Sequence, residues 1–152
     1  MTTPIEIRQA TPADAEDVRR CARDAYVQYV AAIGREPAPM VADFPRLIAA
    51  GRVHVAVRDG ADVLGFIVFY PDGDALLLEN VAVRPDATGM GVGKRLVAFC
   101  EDAARRAGAR AVTLYTNEKM TANLSIYPHL GYRETGRRHE DGFDRVYFEK
   151  PL

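Results

Sequence analysis

This chain of 152 residues has only two cysteines and almost no net charge. Its 20 basic and 21 acidic side chains nearly cancel. Cys21 and Cys100 cannot build a disulfide framework, and neither belongs to a C-x-x-C pair. Both fall on the apolar faces of predicted helices, so we expect small buried side chains in a reducing compartment. A net charge of −1 disfavours a protein that wraps nucleic acid, because such proteins are usually basic.

Targeting signals and long apolar runs are also missing. The first residues, MTTPIEIRQATPADAEDV, contain neither the basic segment nor the apolar segment of a signal peptide. No apolar run approaches the roughly 18 residues that a membrane helix needs. We therefore expect a cytoplasmic protein with no membrane partner. The length, with 48% hydrophobic and 27% charged residues, predicts a single globular domain over residues 1–152.

The order of local signals predicts an α+β fold. Turn signals and changes of apolar period divide the chain into elements in the order β-α-α-β-β-β-α-β-α-β. Strands are predicted at 5–7, 53–57, 63–70, 75–83, 111–115 and near 145–149, and helices after Thr11, over 43–50, over 91–107 and after Thr121. The third helix is a crossover, which sets the strand at 111–115 parallel to that at 75–83. The result is a mixed, mostly antiparallel sheet flanked by helices.

The most informative segment joins a predicted strand to a helix through glycines at 89, 91 and 93. Glycine lets the backbone approach a ligand closely, and the free amides at a helix start suit a phosphate group. The spacing differs from a Walker loop, because Thr88 and Arg95 stand where a glycine and a hydroxyl are required. It also differs from the G-x-G-x-x-G dinucleotide pattern. A phosphate cradle and a turn that only permits tight packing are both compatible with these glycines.

Two motifs, in this order, resemble the GNAT superfamily of acetyl-CoA-dependent N-acetyltransferases. Val81-Ala82-Val83-x-Pro followed by x-x-Gly-x-Gly-Lys is similar to motif A of that family. Asn123-Leu124-Ser125-Ile126-Tyr127…Leu130-Gly131-Tyr132 is similar to motif B. The predicted order of strands and helices also matches, over essentially the whole chain. The resemblance implies a GNAT-like fold and an enzyme with acetyl-CoA as cosubstrate.

The resemblance also implies where acetyl-CoA binds. Backbone groups of Val81 and Val83 would pair with the pantetheine amides, and the amide near Val81 would be the oxyanion donor. The amides from Gly89 through Lys94 would hold the pyrophosphate, helped by the helix dipole. The predicted cofactor-binding residues are Val81, Ala82, Val83, Thr88, Gly89, Met90, Gly91, Val92, Gly93, Lys94, Asn117 and Asn123.

Two positions depart from the family pattern. Thr88 stands where the family usually has Gln or Arg, so Lys94 or Arg95 is expected to replace the missing charge. Met120 stands where many relatives place a cofactor-contacting asparagine. Asn123 or Asn117 is expected to substitute, and either is equally suited to capping a helix or a loop.

Two side chains are candidates for catalysis. Alternation along the strand puts Glu79 on the face of Val81 and Val83, where it would take a proton from the amine through water. A salt-bridged or solvated carboxylate at the sheet surface is the alternative. Tyr127 matches the family's general acid, which protonates the departing thiolate; a tyrosine of the core is the alternative. Pro128 is expected to kink or end the helix directly after it.

The resemblance implies direct transfer of an acetyl group to a primary amine of a small molecule or peptide. A non-catalytic acyl-CoA-binding or sensing module is the alternative, because it needs the glycine loop but neither candidate catalytic residue. A homodimer is compatible with the family. No nucleic-acid partner and no metal are expected, since the histidines lack metal-ligand spacing. Side chains of the first helices and the last hairpin are candidates to line the acceptor pocket, and ordinary core packing is the alternative: Tyr26, Tyr29, Met40, Phe44 and Phe143.

Overall fold

Seven strands form one sheet in the structure, a computed structural model that describes residues 4–152. They are β1 Ile5–Gln9, β2 Val53–Arg58, β3 Asp62–Asp72, β4 Ala75–Val83, β5 Ala111–Asn117, β6 Arg133–Glu140 and β7 Phe143–Pro151. The order across the sheet is β1-β2-β3-β4-β5-β7-β6. Neighbours in this described sheet are antiparallel except β4 and β5, which are parallel.

Helices cover both faces of this sheet. They are α1 Ala15–Tyr26, α2 Val30–Ile33, α3 Phe44–Ala49, α4 Val92–Arg106 and α5 Thr121–His129. On one face, Leu96 and Cys100 of α4 pack with Leu114 of β5 in a buried cluster. On the other face, Cys21 of α1 and Phe44 of α3 belong to a second cluster with strand residues. Because both faces are covered, the central strands are apolar almost throughout.

The predicted fold class is confirmed, including the parallel pairing of β4 with β5 and the burial of both cysteines. The structure adds β6, which the apolar pattern did not reveal because its side chains are mostly exposed at the sheet edge. β3 continues through Pro71 to Asp72, beyond the predicted end of this strand at residue 70. The pairing of β3 with β2 ends at Val68, so no hydrogen bond between these two strands requires the backbone N–H that Pro71 lacks. α5 ends one residue after Pro128, as the missing amide predicts.

The carboxylate of Asp14 fixes the start of α1 against the sheet. Asp14 accepts hydrogen bonds from Arg8 of β1 at 2.8 and 3.0 Å and from the Thr11 amide at 2.7 Å. The Asp14 side chain is 9% exposed, so these donors replace most of its water. The Arg8 hydrogen bond lowers the pKa of Asp14 below its usual value.

Asp14→Asn is expected to lower the free energy of unfolding by about 1–3 kcal/mol at pH 7. The folded-state pKa of Asp14 lies below its unfolded value of about 3.9, so its contribution is complete above that value. The contribution is lost as the pH falls through the folded-state pKa, so variant and wild type should converge in acid. Urea unfolding at pH 7 and at decreasing pH measures this. Asp17→Asn, which loses a 3.6 Å ion pair of a 46% exposed carboxylate, should stay within about 0.5 kcal/mol.

Candidate functional site

A cleft opens where β4 and β5 separate. The register joins Leu76–Leu78 of β4 to Val112–Leu114 of β5. Beyond these residues β4 stays paired with β3, and β5 stays paired with β7. The backbone N–H and C=O groups of β4 that follow Leu78 and point towards β5 therefore form no ladder hydrogen bonds with that strand. The two strands splay as the family resemblance implies.

A register shift in β4 lies at Glu79. Val68 of β3 is opposite Asn80, and Phe69 is opposite Leu78, so Glu79 is an extra residue on β4. Leu78 and Val81 pack against the same buried cluster although they are three residues apart. The direction of Glu79 was predicted from regular alternation along β4. The bulge interrupts that alternation at Glu79, so this basis for the prediction was wrong.

The Glu79 carboxylate nevertheless lines the cleft. Its Oε1 accepts a hydrogen bond of 3.3 Å from the Tyr70 hydroxyl of β3. Its Oε2 is buried and has no hydrogen-bond partner within residues 4–152. A buried carboxylate oxygen without a donor is costly, so this atom is suited to a donor that arrives with a ligand or through water.

The loop between β4 and α4 has two glycines in the left-handed region, Gly89 at φ 87° and Gly91 at φ 77°. The Gly91 carbonyl accepts from the Arg95 amide at 3.1 Å, which closes the first turn of α4. The preceding amides have no acceptor within the helix. The exposed start of α4 therefore presents free N–H groups and the positive end of the helix dipole.

Thr88 and Lys94 both line the cleft beside this loop, whereas the Arg95 side chain is held at β1. Lys94 is exposed and lines the cleft. Arg95 donates a 2.9 Å hydrogen bond to the Ile5 carbonyl of β1, and the Thr88 hydroxyl donates a 2.8 Å bond to the Pro85 carbonyl. Lys94 rather than Arg95 is therefore positioned to supply the charge that Thr88 lacks.

Two pockets meet at the splay. The first, which we call the loop cleft, runs beside Gly93 and Lys94 between α1 and α5 and holds about 920 Å³ including its open mouth. The second, the hairpin cleft, runs towards the β6–β7 hairpin and holds about 770 Å³ on the same measure. Four residues line both: Tyr26, Val81, Asn123 and Tyr127. A ligand in one cleft would meet a ligand in the other at these four residues.

The predicted cofactor-binding residues are found mostly in the loop cleft. Those that line it are Val81, Ala82, Val83, Thr88, Gly93, Lys94 and Asn123. Asn117 lines the hairpin cleft instead. The Val92 side chain is buried in the core, so only its backbone amide faces the loop. Gly89, Met90 and Gly91 are exposed in the loop itself.

Tyr127 lies on α5 at the junction of the two clefts. Its ring is 6% exposed and lies 5.8 Å from the Tyr132 ring and 5.9 Å from the Phe148 ring, measured between centroids. It belongs to the core cluster and lines both clefts, so the two interpretations of this tyrosine are compatible. Burial raises the pKa of its hydroxyl well above the usual value, which keeps the proton on the oxygen at neutral pH.

Tyr26 and Asn80 form a buried polar group that sequence reasoning did not identify. The Tyr26 hydroxyl lies 2.8 Å from Asn80 Oδ1 and 2.8 Å from the Val81 carbonyl. The Asn80 amide donates a 3.0 Å hydrogen bond to the Pro39 carbonyl. These contacts tie α1 and the loop before α3 to β4 beside the splay. The signal available in the sequence was a lone amide within the apolar run of β4.

The two candidate asparagines differ in position. Asn123 donates a 3.1 Å hydrogen bond to the Thr116 hydroxyl and lines both clefts. Asn117 Oδ1 accepts a 2.9 Å hydrogen bond from the Lys119 amide, which shapes the turn before α5. Met120 is 2% exposed and packs in the core. Asn123 is therefore the better placed of the two to contact a ligand in the loop cleft.

The five candidate residues for the acceptor pocket fall into two groups in the structure, those that line a cleft and those that are buried in the core. Tyr26 and Phe143 line the hairpin cleft, and Tyr29 lines the loop cleft. Met40 and Phe44 are 5% and 0% exposed and belong to the core on the α1 face. For these two residues the core alternative is confirmed, because they fill the space between α1 and the sheet.

The part of the chain that the structure describes has neither a metal-ligand cluster nor a helix suited to spanning a membrane. No group of three or more His, Cys, Asp or Glu side chains in residues 4–152 is arranged to hold a metal ion. No helix in the same range has the length and apolar character needed to cross a membrane.

Comparison with known families decides the classification. The model of the Acetyltransferase (GNAT) family matches residues 16–132, which include the splay, the glycine loop and α5. The chain belongs to the GNAT acetyltransferase family. The GNAT motifs identified from the sequence are therefore the elements that build the two clefts.

GNAT relatives of this chain include proteins of different size. "Probable N-acetyltransferase 14" of Xenopus tropicalis is 32% identical over 91 residues, which are 59% of this chain and 44% of the frog protein. The chain thus matches less than half of that relative. "IAA acetyltransferase" of Azospirillum brasilense is 33% identical over 104 residues, which cover 66% of this chain and 68% of the relative.

A solved GNAT structure has the same fold. The PaiA N-acetyltransferase of Thermoplasma acidophilum, crystallised in complex with coenzyme A, superposes with a TM-score of 0.74. The match covers 98% of this chain and 99% of that chain at 19% sequence identity. At this identity the likeness establishes the arrangement of strands and helices.

Proposed function

We propose that this protein transfers an acetyl group from acetyl-CoA directly to a primary amine. The observation that carries the proposal is the junction of the loop cleft with the hairpin cleft at Tyr26, Val81, Asn123 and Tyr127. Direct transfer needs two substrates that reach one point from two sides, and this arrangement provides both routes. When bound, acetyl-CoA supplies the acetyl group as a thioester.

The loop cleft has the chemistry that a pyrophosphate and a pantetheine arm require. Free amides at the start of α4 and the Lys94 charge suit the phosphates. The Val81 carbonyl accepts from Tyr26, and in an extended strand the N–H and C=O of one residue point to the same edge. The Val81 amide thus faces the splay, where it can donate to the thioester oxygen. The coenzyme A complex of the Thermoplasma relative supports this assignment.

Glu79 is the base and Tyr127 is the acid in this proposal. A primary amine is mostly protonated at pH 7, so it must lose a proton before it attacks the thioester. The free Oε2 of Glu79 accepts this proton, directly or through a water. Tyr127 gives its proton to the departing thiolate at the junction of the clefts, and the second proton that the nitrogen loses on becoming an amide replaces it, directly or through water. The elevated pKa of Tyr127 keeps that proton available.

Acetyl-CoA binding and turnover together test the proposal. Calorimetric titration with acetyl-CoA should show binding, and a panel of amines should show release of the coenzyme A thiol. Lys94→Gln is expected to weaken acetyl-CoA binding about three- to tenfold, because one charge-assisted contact to phosphate is lost at an exposed site. Arg95→Gln, whose side chain is bonded to β1, is the matched control and should bind normally.

The alternative of a binding or sensing module gives a different result. It predicts acetyl-CoA binding with the same Lys94 dependence but no thiol release with any amine. That outcome would reject the proposed acetyl transfer. Equal effects of Lys94→Gln and Arg95→Gln would reject the assignment of the loop cleft.

A further inference from the structure

Arg145 is a largely buried cation that faces the hairpin cleft. It lies on β7, its side chain is 11% exposed, and it lines the cleft. The guanidinium carbon lies 4.6 Å from the Tyr115 ring centroid and 5.7 Å from that of Phe143. These rings hold the guanidinium against the wall of the cleft and shield it from water.

The charge of Arg145 is poorly compensated within the protein. Among the described residues its ion-pair partner is Asp141, at 3.3 Å from a single nitrogen. That carboxylate is 80% exposed, so water screens it. In the sheet register Arg145 is directly opposite Arg138, a second cation. A guanidinium has five donors and pairs best with a carboxylate held by two of them.

The same cleft contains the opposite charge at Glu79. Its buried Oε2 has no donor within residues 4–152. The hairpin cleft therefore presents an acceptor oxygen for a cation and a guanidinium for an anion. The remaining wall is mostly apolar, with Pro37, Pro39, Leu47 and Phe143 among its residues.

We infer that the acceptor amine belongs to a free amino acid with an apolar side chain, whose carboxylate is bound by Arg145 while Glu79 faces its amine. This rests on the proposed acetyl transfer and names its substrate class. A peptide or protein acceptor would present an uncharged amide at this position, so it would leave Arg145 without its anion. An amine with no carboxylate would do the same.

Matched acceptors test the inference on the wild-type protein. Leucine, methionine and phenylalanine are each compared with their methyl esters, with the corresponding decarboxylated amines and with dipeptides that begin with the same residue. We expect kcat/KM for the free amino acids to exceed that for the other compounds by about 10- to 100-fold. The esters keep the side chain but have a less basic amine, so kcat/KM is expressed per neutral amine, and the comparison then isolates the carboxylate.

Variants of Arg145 test the residue. Arg145→Gln should lower kcat/KM for amino acids by about 10- to 100-fold, mainly through KM, and leave the esters nearly unchanged. Arg145→Lys should recover part of the loss, since it restores the charge but not the paired donors. Arg137→Gln is the matched control, because Arg137 is an exposed residue of the same hairpin that pairs with Glu134. A thermal unfolding scan of each variant checks folding.

Two results would overturn the inference while leaving acetyl transfer intact. One is equal or better turnover of the esters, amines or dipeptides by the wild-type protein. The other is an equal loss for acids and esters in Arg145→Gln, which would mean that Arg145 only packs Tyr115 and Phe143. Acetyl-CoA binding without turnover of any compound would instead reject the proposed function itself, and the inference with it.

Discussion

Tyr127→Phe is expected to lower kcat by about 10²- to 10³-fold, with little change in the KM for acetyl-CoA. The variant keeps the buried ring but has no proton to give to the departing thiolate. The ring contacts with Tyr132 and Phe148 do not involve the hydroxyl, so folding should be preserved. Steady-state kinetics at saturating acceptor, with release of the coenzyme A thiol as the signal, measures this.

Tyr132→Phe is the matched control for this prediction. It also loses a buried tyrosine hydroxyl, but that hydroxyl donates to Glu101 Oε2 at 2.9 Å and lies outside both clefts. It should lower thermal stability and leave kcat within about threefold. If Tyr127→Phe also stays within threefold, Tyr127 is a core residue and another group protonates the thiolate.

The pH dependence of kcat gives a second test of Tyr127. Burial raises the pKa of its hydroxyl, so the acid form persists to higher pH than in an exposed tyrosine, whose pKa is about 10. The wild-type kcat should therefore not decline between pH 7 and pH 10 through loss of this proton. A fall in kcat centred below pH 9, absent in Tyr127→Phe, would contradict the direction of the shift.

Glu79→Gln is expected to lower kcat/KM at pH 7 by about 10²-fold. The amide keeps the size of the side chain but cannot accept the proton of the ammonium group. The defect should shrink as the pH approaches the pKa of the amine, about 10, because more of the acceptor is then already neutral. The ratio of variant to wild-type kcat/KM, measured from pH 7 to pH 10, should rise towards one.

Two controls accompany the Glu79 variant. Tyr70→Phe removes the 3.3 Å hydrogen bond to Oε1 while the carboxylate stays, so a change below about fivefold is expected. Glu134→Gln, on the exposed edge strand β6, should have no effect on kcat/KM. A variant-to-wild-type ratio that is constant with pH would argue that Glu79 positions the acceptor and does not take its proton.

Local sequence signals predicted the parts of the site that depend on neighbours in the chain. The glycines at 89 and 91 adopt the left-handed backbone that only glycine adopts readily, and the helix begins directly after them. The apolar stripe of α4 was readable because it faces one core. The family motifs then placed Tyr127 on α5.

The features that sequence reasoning missed depend on partners far away in the chain. The bulge at Glu79 is a property of the pairing between β3 and β4, and β4 alone reads as an ordinary alternating strand. In the sequence Asn80 is an isolated amide, but in the structure the Tyr26 hydroxyl of α1 lies 2.8 Å from its Oδ1. The charged strand β6 carries no apolar alternation, since one neighbour and solvent surround it.

The splay between β4 and β5 gives this sheet two additional edges in its interior. An uncovered strand edge at the surface of a protein is a template for pairing with another chain, and it favours aggregation. Here the free ladder positions lie in the loop cleft, between α1 and α5, and not at the outer edge of the sheet. In the proposed function the pantetheine arm takes the place of the missing strand, as an extended peptide does when it adds to a sheet. The fold thus retains free backbone hydrogen-bonding groups inside its sheet, where most proteins pair them with another strand.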